Sequence, residues 1–173
     1  VDAITKLSGA EKPFVAVVGG AKLTEKLDAL NALYEEADKV LVGGAMAYTL
    51  LLAKGVTVGK SLIEEDKIDV AKEIVEKFGE RLVLPIDHRV ADKFEREEEL
   101  HVIDDVNIPE GKVALDIGPK TEELFDSEIK KAATILWNGP LGLFEWEQSA
   151  GGTIRIGREI NESKASYKVA GGG

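Results

Sequence analysis

A chain of 173 residues suits one domain, able to bury about 68–70% of the surface its unfolded form exposes, so a core needs no staples. It has no cysteine, which excludes disulfides and thiolate metal sites and fits a reducing, cytoplasmic compartment. A net charge of −10 argues against a nucleic-acid surface, and no apolar stretch approaches the roughly 20 residues of a membrane span. Val1–Thr5 lacks the basic region that opens a signal peptide. Without an initiator Met, the sequence reads as a processed or excised piece, expected to be a monomer.

In chain order, Val15 to Val18 is a short apolar run suited to a strand buried on both faces. Leu23, Leu27, Leu30 and Leu33 follow at helical spacing. Lys39 to Val42 predicts a second strand, and Ala45 to Ala53 a buried helix. Glu64 to Phe78 is amphipathic, with Ile68, Ala71, Ile74, Val75 and Phe78 on one side. Arg81 to Pro85 reads as a strand, and the acidic stretch from Ala91 to Asn107 as a loop or small excursion. Val113 to Asp116 predicts a strand and Thr121 to Lys131 a helix. Thr134 to Trp137, Gly152 to Glu162 and Ser166 to Ala170 predict strand, helix and strand. This alternation implies βαβ units, hence an α/β fold: a Rossmann-like three-layer sandwich with a mostly parallel sheet.

Nearly every strand-like run stops at glycine or a small polar residue. The first meets Gly19-Gly20, the second Gly43-Gly44; later runs end near Asp87, at Asp116 and Gly118, at Asn138-Gly139, and at Gly171-Gly172-Gly173. Ligands of open parallel sheets bind beyond the carboxyl ends of the strands, where glycine lets a backbone come close. A nucleotide-type site built from several loops is the expectation.

Three segments carry candidate chemistry. Gly19-Gly20-Ala21-Lys22-Leu23-Thr24-Glu25-Lys26 opens a helix directly after a strand, a place attractive to anions, and Lys22 and Lys26 are four apart. Lysine in a first turn opposes the helix dipole by about 0.3–1 kcal/mol, which points to service of a ligand; a solvated face with Lys22 beside Glu25 fits the same spacing. Trp137 to Glu145 places Asn138 as a donor to phosphate oxygens and Glu145 as an acceptor for ribose hydroxyls, around a turn shaped by Pro140 and glycines; a plain strand-to-helix loop is the alternative. Gly171, Gly172 and Gly173 read as a phosphate loop, or else as a flexible tail.

Two patterns carry less. Val58-Gly59-Lys60-Ser61 resembles the end of a P-loop, but Lys54 stands where the first glycine belongs and the segment follows a helix. His88 and His101 lack metal-site spacing, and no metal ligands are assigned. The missing Gly-x-Gly-x-x-Gly after the first strand disfavours a nicotinamide-dependent oxidoreductase.

Taken together, the chain resembles the C-terminal, nucleotide-binding domain of the phosphoglycerate kinase family. The match rests on Val17 to Lys22 with Lys26, on Gly43 to Thr49, on Leu115 to Lys120, and on Trp137 to Glu145. Gly59 to Leu62 and Ala91 to Phe94 match as well. The resemblance implies reversible phosphoryl transfer between 1,3-bisphosphoglycerate and ADP, giving 3-phosphoglycerate and ATP, with Mg2+, in glycolysis. It implies that residues 1–173 are the nucleotide half of a two-domain kinase, truncated at the C-terminal end, with 3-phosphoglycerate held by an N-terminal domain the sequence does not include. Lys22 would be catalytic, facing the transferring phosphate. Lys26 and Asn138 would face the nucleotide phosphates and Glu145 the ribose. Gly19, Gly20, Gly43, Gly44, Leu62, Ala114 and Leu115 would line the nucleoside pocket, and Gly171 to Gly173 the phosphate loop. Ala114 stands where glycine is common in the family, Gly151 where a basic residue is usual, and the acidic residue that follows the triple glycine is not in the sequence. A stand-alone nucleotide- or phosphate-binding module without catalysis is the competing reading.

Overall fold

The computed structural model describes residues 11–93, 99–139, 141, 150–163, 165 and 167–171. Their elements are β1 (Phe14–Val18), α1 (Leu23–Glu36), β2 (Lys39–Val42), α2 (Ala45–Ala53), α3 (Ile68–Phe78), β3 (Leu82–Val83), β4 (His88–Ala91), β5 (His101–Ile103), β6 (Val113–Ile117), α4 (Pro119–Lys131), β7 (Thr134–Asn138), α5 (Gly151–Glu162) and β8 (Tyr167–Gly171), which follow the predicted alternation except for the four successive strands β3 to β6, of which β4 and β5 were not expected. Five of these strands form one sheet in the order β3-β2-β1-β7-β8, each pair parallel.

β1 is the middle strand, and its apolar run is buried throughout. Successive side chains of a strand point to opposite faces, so a doubly covered strand needs apolar residues at every position. Phe14, Ala16 and Val18 pack with Leu30 and Leu33 of α1, Met46 and Leu50 of α2, and Ile74 and Phe78 of α3. Val15 and Val17 pack on the other face with Phe125 and Ile129 of α4 and Ile156 and Ile160 of α5. Helices on both sides of a parallel sheet make the expected three layers.

One strand leaves the expected sheet, and one appears inside the expected loop. β6 pairs antiparallel with β4, which pairs antiparallel with β5, in a separate sheet ordered β5-β4-β6. β5 arises within the Ala91–Asn107 stretch. Val113 and Leu115 bury with Ala91 and the half-buried Leu100 in a small cluster of their own, which draws β6 away from the parallel sheet. β3 covers only Leu82–Val83 of the strand expected over Arg81–Pro85. His88 and His101 occupy neighbouring strands, His88 opposite Ile103 and His101 opposite Val90. His88 is buried, its Nε2 donates to the Val106 carbonyl at 2.9 Å, and burial pushes its pKa down.

Candidate functional site

The strand order reverses at β1, whose neighbours are β2 on one side and β7 on the other. In open parallel sheets such a switch point opens a crevice at the carboxyl ends of the strands. Here the crevice is formed by Gly19-Gly20 after β1, Gly43-Gly44 after β2 and Asn138-Gly139 at the end of β7. The loops meet through backbone: the Gly19 amide donates to the Asn138 carbonyl at 2.8 Å, and Met46 N donates to the Gly20 carbonyl at 3.1 Å. Gly44 has φ +79°, and a Cβ there would stand 2.5 Å from the Gly20 carbonyl oxygen. Gly139 has φ +94°, and a Cβ there would overlap the Gly19 carbonyl oxygen. At these two positions glycine serves close contact between loops.

Lys26, in the second turn of α1, crosses this junction. Its stem runs beside Gly20, where an added Cβ would lie 3.1 Å from Cε, and its ammonium donates to Asn138 Oδ1 at 2.5 Å. Burial pushes the Lys26 pKa below its ordinary value, against the pull of Glu25. A half-buried cation thus sits at the switch point, fixed by a side chain 112 residues away in sequence. With Oδ1 engaged, the Asn138 amide directs its donor end, Nδ2, away from the ammonium.

Lys22 is exposed and is the N-cap of α1, with extended backbone (φ −119°, ψ 124°), rather than a member of its first turn. It therefore does not share a helix face with Lys26 in the simple i, i+4 sense. Gly171 is brought to the same edge as the last residue of β8, opposite Asn138. Leu62 is 51% exposed on the segment leading to α3. Ala114 and Leu115 are only 4% and 3% exposed, so their side chains offer little surface to a ligand. Glu145, Gly172 and Gly173 lie outside the described residues.

Three carboxylates whose capping role the sequence does not reveal organise the surrounding helix ends. None of α1, α4 or α5 has a side-chain cap from its own N-cap residue. Glu64 accepts from the Thr24 amide at 3.2 Å and the Thr24 hydroxyl at 2.7 Å at the start of α1. Asp87 accepts from the amides of Lys120 at 2.9 Å and Thr121 at 2.8 Å at the start of α4. Asp116 accepts from the Gly152 amide at 2.8 Å at the start of α5. Each supplies an acceptor for amides that a helix N-terminus leaves unpaired. At the ends near Asp87, Asp116 and Gly118, expected among the ligand loops, the amides of Lys120, Thr121 and Gly152 are thereby met by the protein's own carboxylates. The Thr24 amide is likewise taken, by Glu64. Among the described residues, no group of three His, Asp or Glu side chains gathers as a metal cage. No helix among them is long and apolar enough to cross a membrane.

A doubly covered parallel sheet with a lysine-bearing, glycine-lined crevice at its switch point defines a Rossmann-type α/β protein. The family model for phosphoglycerate kinase matches residues 1–173, and the chain belongs to that family. It is 46% identical over 165 residues to the phosphoglycerate kinase of Clostridium tetani, covering 94% of this chain and 41% of that protein. It is 49% identical over 162 residues to that of Limosilactobacillus fermentum, covering 94% and 40%. The structure of phosphoglycerate kinase from Coxiella burnetii superposes with a TM-score of 0.91 at 35% identity, over 99% of this chain and 46% of that one. The Pyrococcus horikoshii enzyme superposes with a TM-score of 0.83 at 30% identity, over 98% and 45%. The chain therefore spans 40–41% of the length of these two curated relatives.

Proposed function

We propose that residues 1–173 form a nucleotide-binding domain, and that the whole protein transfers a phosphoryl group between 1,3-bisphosphoglycerate and ADP. The observation that carries this reading is the half-buried Lys26 ammonium bonded to Asn138 at the β1–β7 switch point. Phosphoryl transfer asks little covalent chemistry of a protein; positioning and charge neutralisation dominate. Lys26 and Asn138 are the residues we assign to the phosphates of ADP or ATP. Lys22, exposed at the start of α1, is the residue we assign to the transferring phosphate. Gly19, Gly20, Gly43, Gly44 and Gly171 let the backbone approach, Leu62 offers an apolar surface for the base, and Glu145 is assigned to the ribose. Mg2+ belongs to this reading as the counter-ion of the nucleotide phosphates, part of the substrate rather than an ion in a protein cage. The 3-phosphoglycerate is assigned to a part of the whole protein other than these residues.

The test is titration with Mg-ADP while backbone amide shifts are followed. Shifts should centre on Gly19, Gly20, Gly44 and Asn138. Shifts confined to the amino-terminal edge of the sheet, near Phe14 and Thr134, would overturn the reading.

A further inference from the structure

Leu141 is fully buried and ties two parts of the molecule together. Its carbonyl accepts the Gly44 amide at 2.9 Å, and its own amide donates to Thr153 Oγ1 at 2.9 Å. Thr153 lies in the first turn of α5, a turn whose N-cap residue, Ala150, contributes no side-chain bond. That turn is held instead by Asp116, fully buried, whose Oδ2 accepts from Gly152 N at 2.8 Å and whose Oδ1 accepts from Ile117 N at 2.8 Å. One turn further on, Arg155 bonds Asp126 of α4 at 2.8 Å and pairs with Glu122 at 3.5 Å. Glu122 also receives Arg89 at 3.0 Å. The start of α5 is thus fixed to β6 and α4 on one side and to the crevice loop on the other.

We propose that Asp116 and Thr153 are positioning residues for the crevice: they set the first turn of α5, and through Leu141 they fix the Gly43-Gly44 loop against β1 and β7. The inference rests on the nucleotide reading above for its functional consequence, not for its geometry. Neither residue touches the crevice itself. They act by pinning a backbone amide that would otherwise be free to turn. Gly43 belongs to the same contact, since a Cβ there would lie 2.7 Å from the Leu141 side chain. A loop with two glycines gains most from such pinning, because glycine has the most backbone freedom to lose.

The experiment compares Thr153→Val, Thr153→Ser and Asp116→Asn with the unaltered chain, reading hydrogen exchange at the Gly44 amide and Mg-ADP affinity. Thr153→Val removes the acceptor for Leu141 at nearly constant shape. It should speed Gly44 exchange and weaken Mg-ADP by about fivefold, the equivalent of one neutral hydrogen bond. Thr153→Ser keeps the oxygen and should restore both. Asp116→Asn should move both readouts in the same direction. Combined with Thr153→Val, it should cost less than the sum of the two losses, as expected for residues acting through one contact. If Asp116→Asn does not fold, the Val and Ser pair still decides. Gly44 exchange and affinity both unmoved in Thr153→Val would overturn the proposal. Faster Gly44 exchange in a chain that binds no Mg-ADP would support the positioning and refute the nucleotide reading.

Discussion

Asp116, at the end of β6, accepts the amide of Gly152 at the head of a helix 36 residues further along the chain. Glu64 does the same for Thr24 across 40 residues, and Asp87 for Thr121 across 34. Helices usually take their N-terminal acceptor from the residue immediately before them. Here Lys22, Gly118 and Ala150 hold that place and contribute no side-chain bond. The carboxylates arrive from other elements, so each cap is also a tertiary contact. Loss of one should loosen a helix end and the packing of a whole element together.

Asp87 is the clearest case. It is buried, and its carboxylate receives two amides and the Thr121 hydroxyl, the last at 2.6 Å. Asp87→Ala should destabilise the chain by about 3 kcal/mol, since hydrogen bonds to a charged group contribute about 1.5–3 kcal/mol and the amides would be left unpaired. Urea unfolding measures this directly. A loss below about 0.5 kcal/mol would mean that water replaces the carboxylate without cost.

Asp116 should make stability fall as pH rises. Burial pushes its pKa up to about 7 from an ordinary 3.8, against the amides of Gly152 and Ile117 and the guanidinium of Arg89. Between those values the folded chain holds a proton that the unfolded chain has released. Stability from this group is therefore full below about pH 4 and declines toward pH 7, by at most about 1.4 kcal/mol per unit. Other carboxylates titrate in the same range, so the measurement is the difference between the wild type and Asp116→Asn in urea midpoints from about pH 4.5 to 7.5. The wild type should lose ground to the variant across that range. A constant difference would show that Asp116 stays ionised throughout.

The parallel layers were legible because their signal is local. Val15 to Val18 is apolar at every position, and Leu23 to Leu33 carries a helical period, so pattern alone assigns both. The junction at Gly19, Gly44 and Asn138 was legible from the glycines at strand ends. Their physical reason was only half visible, since Gly139 and Gly44 face neighbouring backbone. The second sheet was not legible. His101–Ile103 is three residues long within an acidic stretch, and its pairing with His88–Ala91 depends on contacts no periodicity records. The trans caps were hidden for the same reason. Nothing near Glu64, Asp87 or Asp116 marks them as partners of residues 34 to 40 positions away.

Gly139 and Gly55 separate backbone strain from loop contact. Both have positive φ, +94° and +93°. A Cβ on Gly55 meets nothing within 4 Å, whereas one on Gly139 overlaps the Gly19 carbonyl and lies 3.3 Å from Lys26 Nζ. Gly55→Ala should cost only the strain of a left-handed non-glycine residue, about 1 kcal/mol. Gly139→Ala should cost at least about 2 kcal/mol more, because two loops must part. Equal losses in thermal and urea unfolding would place the whole effect in φ and remove the loop contact from the account.

Lys26 gives the sharpest separation of binding from folding. Its ammonium is half-buried, and its one described side-chain acceptor is Asn138 Oδ1, at a crevice edge where water can replace it. Lys26→Met keeps the stem beside Gly20 and removes the charge. The fold should lose no more than about 1 kcal/mol, the net worth of a typical hydrogen bond. A phosphate that had been bonded to the ammonium loses about 1.5–3 kcal/mol, which is roughly tenfold to a hundredfold in affinity. Calorimetric titration with Mg-ADP, beside a urea melt of the same variant, measures both. Lys22→Met is the natural companion, because Lys22 is exposed and stands at the N-cap of α1. Its loss should leave the melt unchanged and weaken Mg-ADP less than Lys26→Met does. If Lys26→Met shifts the urea midpoint strongly while the Mg-ADP affinity stays at the wild-type value, Lys26 is a brace between the β1 and β7 loops and not a phosphate ligand.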